Sequence, residues 1–432
     1  MTCSSPRRIV SAFASVLALL AFSAFFLINQ GSLALAKEEG KFRLGFGGAL
    51  LGNLASYGLS NRYGLEYAVI DQNKKGGLLG SQIEIVAQDD SCNPAQAAAA
   101  ATKLLSSGVK FVMGHTCSGA TRSALSAYGN NALVISSSAT DNNLTDSGQH
   151  PYFFRTTPRD DIQTKIQIAL IRKKNYKKIA ILHDKGDYGQ ALAESIRQLA
   201  QADPGREVVV FEGINSGQVS FDAIISKIKE TQAEVLVWGG YYNDAAKLVT
   251  QARRKNVNVP LIGPDGLYDP RFIVLAADAA EGTYCTGQVD HSQSALAMEA
   301  IKDHRSRYYT QDIGTYFFYA AGAAQSLFAA LETVGQKAID QTLAERKAAA
   351  EKAAKEKTPN QPPAAPVEPP RIEEVNLDFK AVKQFLNEKV VETVMGPVRY
   401  DAKGDIIGEG YKLFQIQNGK FVEVPMSNHL NL

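Results

Sequence analysis

The sequence predicts an α/β protein built from two Rossmann-like lobes, each a doubly wound parallel sheet. Short apolar runs typical of buried strands alternate with helical segments from residue 42 to about residue 290. A polar stretch at 140–150 interrupts this alternation once, and the same rhythm then restarts. The chain has 432 residues, 45% of them hydrophobic and 21% charged, which is a globular composition long enough for two or three domains.

The first lobe is predicted from the elements that precede the polar stretch. Tyr57, Tyr63 and Tyr67 recur at helical spacing, and the Lys-Lys-Gly-Gly run at 74–77 ends that helix. Pro94 opens an alanine-rich helix. The predicted strands are 42–47, 82–88, 109–113 and 133–136, and the predicted helices are 55–73, 95–107 and 120–128.

The second lobe is predicted from the repeated pattern after residue 158. Its predicted strands are 178–183, 208–212, 234–239, 261–263 and 282–287, and its helices are 162–174, 190–202, 221–231 and 244–255. Helices at 295–309 and 315–334 follow, then an ordered segment at 379–389 and a strand and turn at 394–405. Between them, 344–357 is predicted as a solvated helix and the proline-rich 358–371 as a flexible loop, with a docking segment for a partner as the alternative.

The N-terminal residues predict an export signal. Arg7 and Arg8 precede an apolar run at 9–28, and the small residues Ala34 and Ala36 then form a cleavage pattern. We expect cleavage after Ala36; an uncleaved anchor is the alternative. The mature chain then has equal numbers of basic and acidic side chains, so no basic stripe favours nucleic acid.

Three cysteines remain in what should be an oxidising compartment. Cys92 and Cys117 each lie near the end of a predicted strand, and parallel neighbouring strands would bring their two loops together. We therefore expect a Cys92–Cys117 disulfide. Cys285 lies in a strand-like run and is predicted to be a buried free thiol.

No enzymatic motif is complete. The glycines at 45, 47 and 48 begin like a dinucleotide fingerprint, but Leu50 stands where the third glycine belongs. Nucleophile-elbow, zinc-protease, Walker A and Cys-x-x-Cys patterns do not occur, and the six histidines are scattered. His115 and His183 end predicted strands and are interpreted as structural. The sequence predicts no enzyme, no metal site and no cofactor.

Groups suited to binding a small zwitterion do follow the strands. Ligands of open α/β sheets bind at the carboxyl ends of the strands, where helix N-termini offer N–H groups to anions. Residues 116–120 and 137–140 place hydroxyls and backbone donors there, which suits a carboxylate. Tyr188, Tyr241 and Asp265 follow second-lobe strands, and an acid with aromatic rings suits an ammonium group and an apolar side chain.

Seven stretches carry a resemblance to a known family: Asp89 to Ala97, Gly114 to Ser118, Phe154 to Thr157, His183 to Gly189, Gly239 to Tyr241, Gly263 to Gly266 and Val394 to Pro397. In these the chain resembles the periplasmic binding proteins of type I fold, and within them the branched-chain amino-acid (leucine, isoleucine, valine) receptors of ABC importers. The resemblance covers nearly the whole mature chain.

The resemblance implies a monomeric periplasmic receptor that closes on one amino acid and delivers it to the permease subunits of an ABC importer. It implies crossovers near 156–157, 285–286 and 396–397. Lobe 1 would be 37–156 and 286–396, with an insert at 342–371, and lobe 2 would be 157–285 and 397–432. The Cys92–Cys117 disulfide is a feature of the family as well.

The family's roles transfer to individual residues. Ser118 and Thr140, with the backbone at Ser138, Ala139 and Thr140, would bind the ligand carboxylate. Asp265, Tyr188 and Tyr241 would meet the ammonium and close the cleft. Tyr57 and Tyr316 would line the side-chain pocket.

This chain departs from the family pattern in three places. Asp265 stands where glutamate is common, Ser138 replaces an alanine, and the Ala/Pro-rich insert has no counterpart. Structural roles stay open for the same residues: Tyr57 as core, Ser118 and Asp265 as helix caps, Tyr188 and Tyr241 as packing between the lobes. A receptor for urea, another amide or an aromatic carboxylate, and a secreted two-domain enzyme, are the alternative functions.

Overall fold

The computed structural model describes residues 40–308, 312–356 and 366–426. All the strands and helices named for this protein belong to the unit Phe42–Leu432. The expected signal segment, its cleavage site and most of the proline-rich loop lie outside the described residues.

Fourteen strands are described. They are β1 Phe42–Gly48, β2 Ile83–Asp89, β3 Phe111–Gly114, β4 Leu133–Ser136, β5 Phe153–Arg155, β6 Lys178–His183, β7 Glu207–Gly213, β8 Val235–Gly239, β9 Leu261–Gly263, β10 Tyr284–Gln288, β11 Val391–Thr393, β12 Gly396–Val398, β13 Tyr411–Gln417 and β14 Lys420–Glu423.

Twelve α-helices connect or follow these strands in the described ranges. They are α1 Ala55–Lys74, α2 Pro94–Ser106, α3 Ser118–Tyr128, α4 Asn143–Asp146, α5 Asp160–Lys173, α6 Asp187–Gln201, α7 Asp222–Glu230, α8 Tyr242–Arg254, α9 Pro270–Ala276, α10 Ala295–Tyr308, α11 Phe317–Lys355 and α12 Phe379–Glu388. None of the helices that the structure describes has the length and apolarity needed to cross a membrane.

The strands form two main sheets, which confirms the predicted fold class. The first has the order β2-β1-β3-β4-β5 and is entirely parallel. The second has the order β14-β13-β10-β9-β8-β6-β7, parallel from β10 to β7 and antiparallel at the β13–β14 edge. Because strand order reverses around β1 in one sheet and around β6 in the other, each sheet has a switch point at which its loops diverge.

Each sheet is covered by helices that bury an apolar face. In the first lobe, α1 and α11 pack together, and Leu65, Phe317 and Leu331 are fully buried between them and the sheet. In the second, Trp238 of β8 lies in the core with Leu248 of α8. Because the strands on either side of each switch point belong to these cores, the cores fix the positions of the two switch points.

The chain crosses between the lobes at slightly different places from those expected. Strand β10 stays hydrogen-bonded in the second sheet to Gln288, beyond the expected crossover at 285–286. Strand β12 pairs with β11 beside α11. Asp405 still accepts from Arg155 of β5, so the chain rejoins the second sheet only at Tyr411.

Two expected boundaries were wrong. Helix α11 runs without a break for 39 residues, so the predicted helix at 315–334 and the solvated helix at 344–357 are one element. Its middle contains no proline that would interrupt it. Strands β5, β13 and β14 also lie where no strand was predicted.

Candidate functional site

The residues proposed from the sequence converge on the cleft between the two switch points. Ser118 begins α3, residues 138–140 follow β4, and Tyr57 lies in the first turn of α1. From the other lobe, Tyr188 lies in the first turn of α6, Tyr241 precedes α8 and Asp265 follows β9. Tyr316 immediately precedes α11. All of them are buried except Tyr241, which is half-buried.

Asp265 is the polar centre of the second-lobe side, with a side chain only 1% exposed. Its Oδ1 accepts from Tyr188 Oη at 2.5 Å and from Gln163 Nε2 at 3.0 Å. Its Oδ2 accepts from Gln288 Nε2 at 2.8 Å and from Tyr316 Oη at 3.0 Å. All four donors are neutral, so within the described structure the buried carboxylate has hydrogen bonds but no cationic partner.

A second buried carboxylate, Asp160, lies beside Asp265 and was not predicted from the sequence. Its Oδ1 accepts from Gln163 Nε2 at 2.7 Å, the same amide nitrogen that donates to Asp265. Its Oδ2 is buried without a hydrogen-bond partner in the protein. Burial raises the pKa of Asp160 well above the usual aspartate range, and the nearby Asp265 charge raises it further.

Two more buried polar atoms near these carboxylates have no protein partner: Thr140 Oγ1 and Gln288 Oε1. Buried polar atoms are normally satisfied, and the Thr140 side chain is close enough to the Asp160 carboxyl to lower its pKa. The only sequence signal for Asp160 was an acid in the first helical turn after the crossover, which by itself indicates a cap.

Tyrosine rings enclose this polar centre from both lobes. The Tyr57 ring centroid lies 6.2 Å from that of Tyr241 and 5.8 Å from that of Tyr316. Tyr188 stacks on Tyr241 with centroids 5.0 Å apart. Burial raises the pKa of Tyr57, Tyr188, Tyr241 and Tyr316 above the ordinary tyrosine range, so their hydroxyls remain protonated.

The lobes touch through these rings, which defines a closed arrangement. Tyr57 Oη donates to the carbonyl oxygen of Gly266 at 2.8 Å across the cleft. Tyr316 joins the first lobe to Asp265 in the same way. On one flank of the cleft, Arg122 Nη1 lies 3.7 Å from Asp187 Oδ2.

The first-lobe side consists of hydroxyls and backbone N–H groups that bind one another. Ser118 Oγ accepts from the backbone nitrogens of Thr140 at 3.2 Å and Asp141 at 3.3 Å. The backbone nitrogen of Ala139 donates to Ser136 Oγ at 3.0 Å. Ser138 Oγ, expected to add a hydroxyl to the carboxylate site, donates instead to the Thr116 carbonyl oxygen at 2.8 Å.

A disulfide and a buried histidine hold this side in place. Cys92 and Cys117 form the disulfide predicted from the sequence, with Cα atoms 5.4 Å apart, and Cys117 directly precedes α3. His115 is fully buried between Asp90 Oδ2, 2.6 Å from Nδ1, and the Tyr128 hydroxyl. Its role is structural. Cys285 is a buried free thiol, as predicted, and burial raises its pKa.

The described residues contain no group of three or more His, Cys, Asp or Glu side chains that could hold a metal ion. The groups that line the cleft are hydrogen-bonding side chains, the buried Asp265 carboxylate and the tyrosine rings. Two sheets that present such groups to each other across switch points define a two-lobed binding protein for a small solute.

Comparison with known proteins identifies that class further. The family model for periplasmic binding proteins matches residues 41–366, so the chain belongs to the periplasmic binding protein family. This confirms the resemblance inferred from the sequence. Members of the family bind solutes and are not enzymes, and their location is the periplasm.

Individual relatives agree with the family. A Leu/Ile/Val-binding protein of Citrobacter freundii is 30% identical over 393 residues, covering 90% of this chain and 93% of its own length. A leucine-, isoleucine-, valine-, threonine- and alanine-binding protein of Pseudomonas aeruginosa is 36% identical over 267 residues, covering 61% of this chain and 70% of its own.

Solved structures share the fold. The branched-chain amino acid transporter substrate-binding protein LivJ of Streptococcus pneumoniae, in complex with isoleucine, is 26% identical with a TM-score of 0.69, covering 89% of this chain and all (100%) of its own. A solute-binding protein of R. palustris in complex with benzoate has the same TM-score, 0.69, at 20% identity, covering 89% of this chain and 96% of its own, and supports the fold alone.

Proposed function

We propose that the chain is a receptor that captures one aliphatic amino acid, of the branched-chain class, between its lobes and delivers it to the permease subunits of an ABC importer. The observation that carries this proposal is the buried Asp265 carboxylate, which has only neutral donors. A ligand ammonium would supply the missing positive charge. Relatives named for binding leucine, isoleucine and valine support the choice of ligand.

The two sides of the cleft have complementary roles in this proposal. Ser118, Ser138, Ala139 and Thr140 lie at the carboxyl ends of first-lobe strands. The Ser118 and Thr140 hydroxyls would bind the ligand carboxylate, and the backbone N–H groups of residues 138–140 would exchange their present hydrogen bonds to Ser136 Oγ and Ser118 Oγ for it. Asp265 would bind the ammonium together with Tyr188 and Tyr241. Asp160 Oδ2 adds an acceptor beside it.

Tyr57 and Tyr316 would form the apolar wall for the ligand side chain. The two rings meet edge to face with their centroids 5.8 Å apart. This part of the cleft therefore presents uncharged aromatic surface to the side chain of the ligand. Branched aliphatic side chains fit such a wall better than charged ones do, because a charge buried there would have no partner.

The mechanism is hinge closure without chemistry on the ligand. An open form admits the zwitterion, and contacts from both lobes then favour the closed form. Tyr57 and Tyr316 form hydrogen bonds between the lobes in the closed form. These two bonds would stabilise the closed form in addition to the contacts made by the ligand.

The division of the chain into lobes is part of this proposal. The first lobe would comprise 37–156 and 286–396 and the second 157–285 and 397–432, with the ends of β10 and β12 shifting the last two crossovers by several residues. The receptor would act as a monomer after cleavage of its signal segment at Ala36.

Calorimetric titration of the mature protein, stripped of co-purified ligand by unfolding and refolding, tests the proposal. The ligands are leucine, isoleucine, valine, alanine, threonine, glutamate, urea and benzoate. We expect one-to-one binding, tightest for the branched-chain amino acids, and no heat with urea or benzoate. Heat with urea or benzoate alone would keep the fold and reject the amino-acid proposal.

A further inference from the structure

A second concave surface lies outside the cleft, between α8 and α9 of the second lobe. Its cavity volume is about 620 Å³, and we call it the basic groove. Lys247 and Arg254 of α8 and Arg271 of α9 line it, together with Tyr242, Leu275 and Asn53. None of these residues belongs to the proposed ligand site.

The groove carries positive charge, and two of its three basic side chains form no ion pair with the described residues. Its lining includes three basic side chains and no acidic one. Lys247 lies 3.5 Å from Asp244, whereas Arg254 and Arg271 form no side-chain hydrogen bond or ion pair with any residue that the structure describes. All three are exposed. Unpaired arginines on one surface favour a partner that carries carboxylates.

Exposed apolar side chains border the same charges. Val274 is 77% exposed and Leu275 is 56% exposed, on consecutive positions of α9. Leu51, two residues before Asn53 in the first lobe, is 67% exposed. Single exposed apolar residues are common, but an apolar edge combined with exposed arginines is typical of protein interfaces.

The groove is complete only when the lobes are closed. Asn53 belongs to the loop before α1 of the first lobe, and the remaining lining belongs to the second. Tyr242 Oη joins the two parts by donating to the Asn53 carbonyl oxygen at 2.6 Å. Opening the hinge would separate Asn53 from α8, so a partner that fits the whole groove distinguishes the closed form from the open one.

We propose that the basic groove is the docking site for an acidic, apolar-edged extracytoplasmic segment of the importer's membrane subunits. This inference rests on the proposed function, because the importer is the partner that must distinguish a loaded receptor from an empty one. The charge of the groove selects the acidic segment, and Asn53 makes docking dependent on closure.

The test is leucine uptake by cells of the source organism that carry Arg254→Glu with Arg271→Glu at the chromosomal locus. The part of the uptake that is lost on deleting the gene is the quantity compared. We expect it to fall by about tenfold or more, the effect of losing central interface arginines. Calorimetry of the purified variant should give an unchanged affinity for leucine.

Lys229→Glu with Lys420→Glu is the matched control. It makes the same charge change at exposed second-lobe positions outside the groove and should leave uptake unchanged. Undiminished uptake in the groove variant, or an equal loss in the control, would overturn the proposal. So would a loss of leucine affinity equal to the loss of uptake.

Two further outcomes would each reject a different part of the proposal. Binding of the unmodified receptor to vesicles containing phosphatidylglycerol, lost in the groove variant, would identify a lipid surface instead of a protein segment. If the unmodified protein gives no heat with leucine and deletion of its gene leaves uptake intact, the proposed function itself has failed. That result is seen without any groove variant.

Discussion

The two edges of the cleft use different chemistry although both lie at strand ends of similar sheets. The first-lobe edge contains Ser118 and Thr140 in a network of neutral hydroxyls and N–H groups, anchored by a disulfide. The second-lobe edge carries the Asp265 carboxylate among tyrosines and has no disulfide in its described part. A zwitterion has two unlike ends, and under the proposed function the two unlike edges would fix its orientation.

The same contrast holds for the acids at the carboxyl ends of the strands. Asp90, after β2, is fully buried and its carboxylate lies against His115 Nδ1 at 2.6 Å. Asp184, after β6, is buried with the backbone nitrogen of Gly186 donating to Oδ1 at 2.9 Å and no ion pair among the described residues. The Asp184 carboxylate is therefore less compensated than that of Asp90, and single substitutions at each edge can test this difference.

The largest expected effect is the loss of the first-lobe disulfide. Replacing Cys92 and Cys117 by serine opens a loop with a sequence separation of 25. We expect the free energy of unfolding to fall by about 3 kcal/mol, measured by urea denaturation. The second-lobe Cys285→Ala variant is the control. A smaller loss in the double variant than in this control would show that the disulfide does not stabilise the first-lobe edge.

The next effect is on the ammonium side of the cleft. We expect Asp265→Asn to lower the affinity for leucine about a hundredfold, or roughly 2–3 kcal/mol, because a charge-assisted contact is lost. Calorimetry with leucinol, which keeps the ammonium, should show a similar loss. Titration with 4-methylpentanoate, which lacks the ammonium, should show little change. Equal losses for all three ligands would contradict the assignment.

The sequence predicted most strands of both lobes because buried parallel strands are short apolar runs with clear boundaries. It did not predict the length of α11. The shift to an Ala/Glu/Lys composition was interpreted as a boundary, whereas such residues continue a helix. Strand β13 joins the sheet by pairing with β10, more than a hundred residues earlier in the chain. Its pairing with β14 is local, and the Asn418-Gly419 turn between the two strands is the signal that could have predicted this hairpin.

That the candidate residues at strand ends lie near one another was predictable, because a parallel sheet brings its carboxyl ends to one edge. The neighbours of Asp265 were not. Gln163 reaches it from α5 and Gln288 from the end of β10, and these contacts depend on how the helices pack rather than on any local pattern. Asp160 belongs to the same group only through Gln163.

The third prediction concerns pH and the second-lobe acid. Burial raises the pKa of Asp184 from 3.8 to about 6. The folded state therefore holds this proton more tightly than the unfolded state, and the resulting stabilisation is present below about pH 4 and lost as the pH rises through 6. The Asp184→Asn variant keeps an acceptor for the Gly186 N–H but has no proton to lose. We expect it to lack the decline in the free energy of unfolding, on the order of 2 kcal/mol, that the unmodified protein shows between about pH 4 and pH 6. The measurement is urea unfolding at a series of pH values, and an unchanged pH profile would contradict it.

The smallest effect is expected on the carboxylate side, where the charge of the ligand meets neutral groups instead of an opposite charge. Ser118 Oγ accepts from two backbone nitrogens, at 3.2 and 3.3 Å, so it both orients this edge and lies at the start of α3. We expect Ser118→Ala to weaken leucine binding by about 1 kcal/mol, or roughly fivefold, and 4-methylpentanoate similarly. Leucinol, which has no carboxylate, should bind with unchanged affinity. This order of affinities is the reverse of that expected for Asp265→Asn.

The contradicting outcome is a loss of leucinol affinity in Ser118→Ala as large as the loss for leucine. In that case the first-lobe edge would not bind the carboxylate specifically, and the orientation proposed for the zwitterion would be wrong.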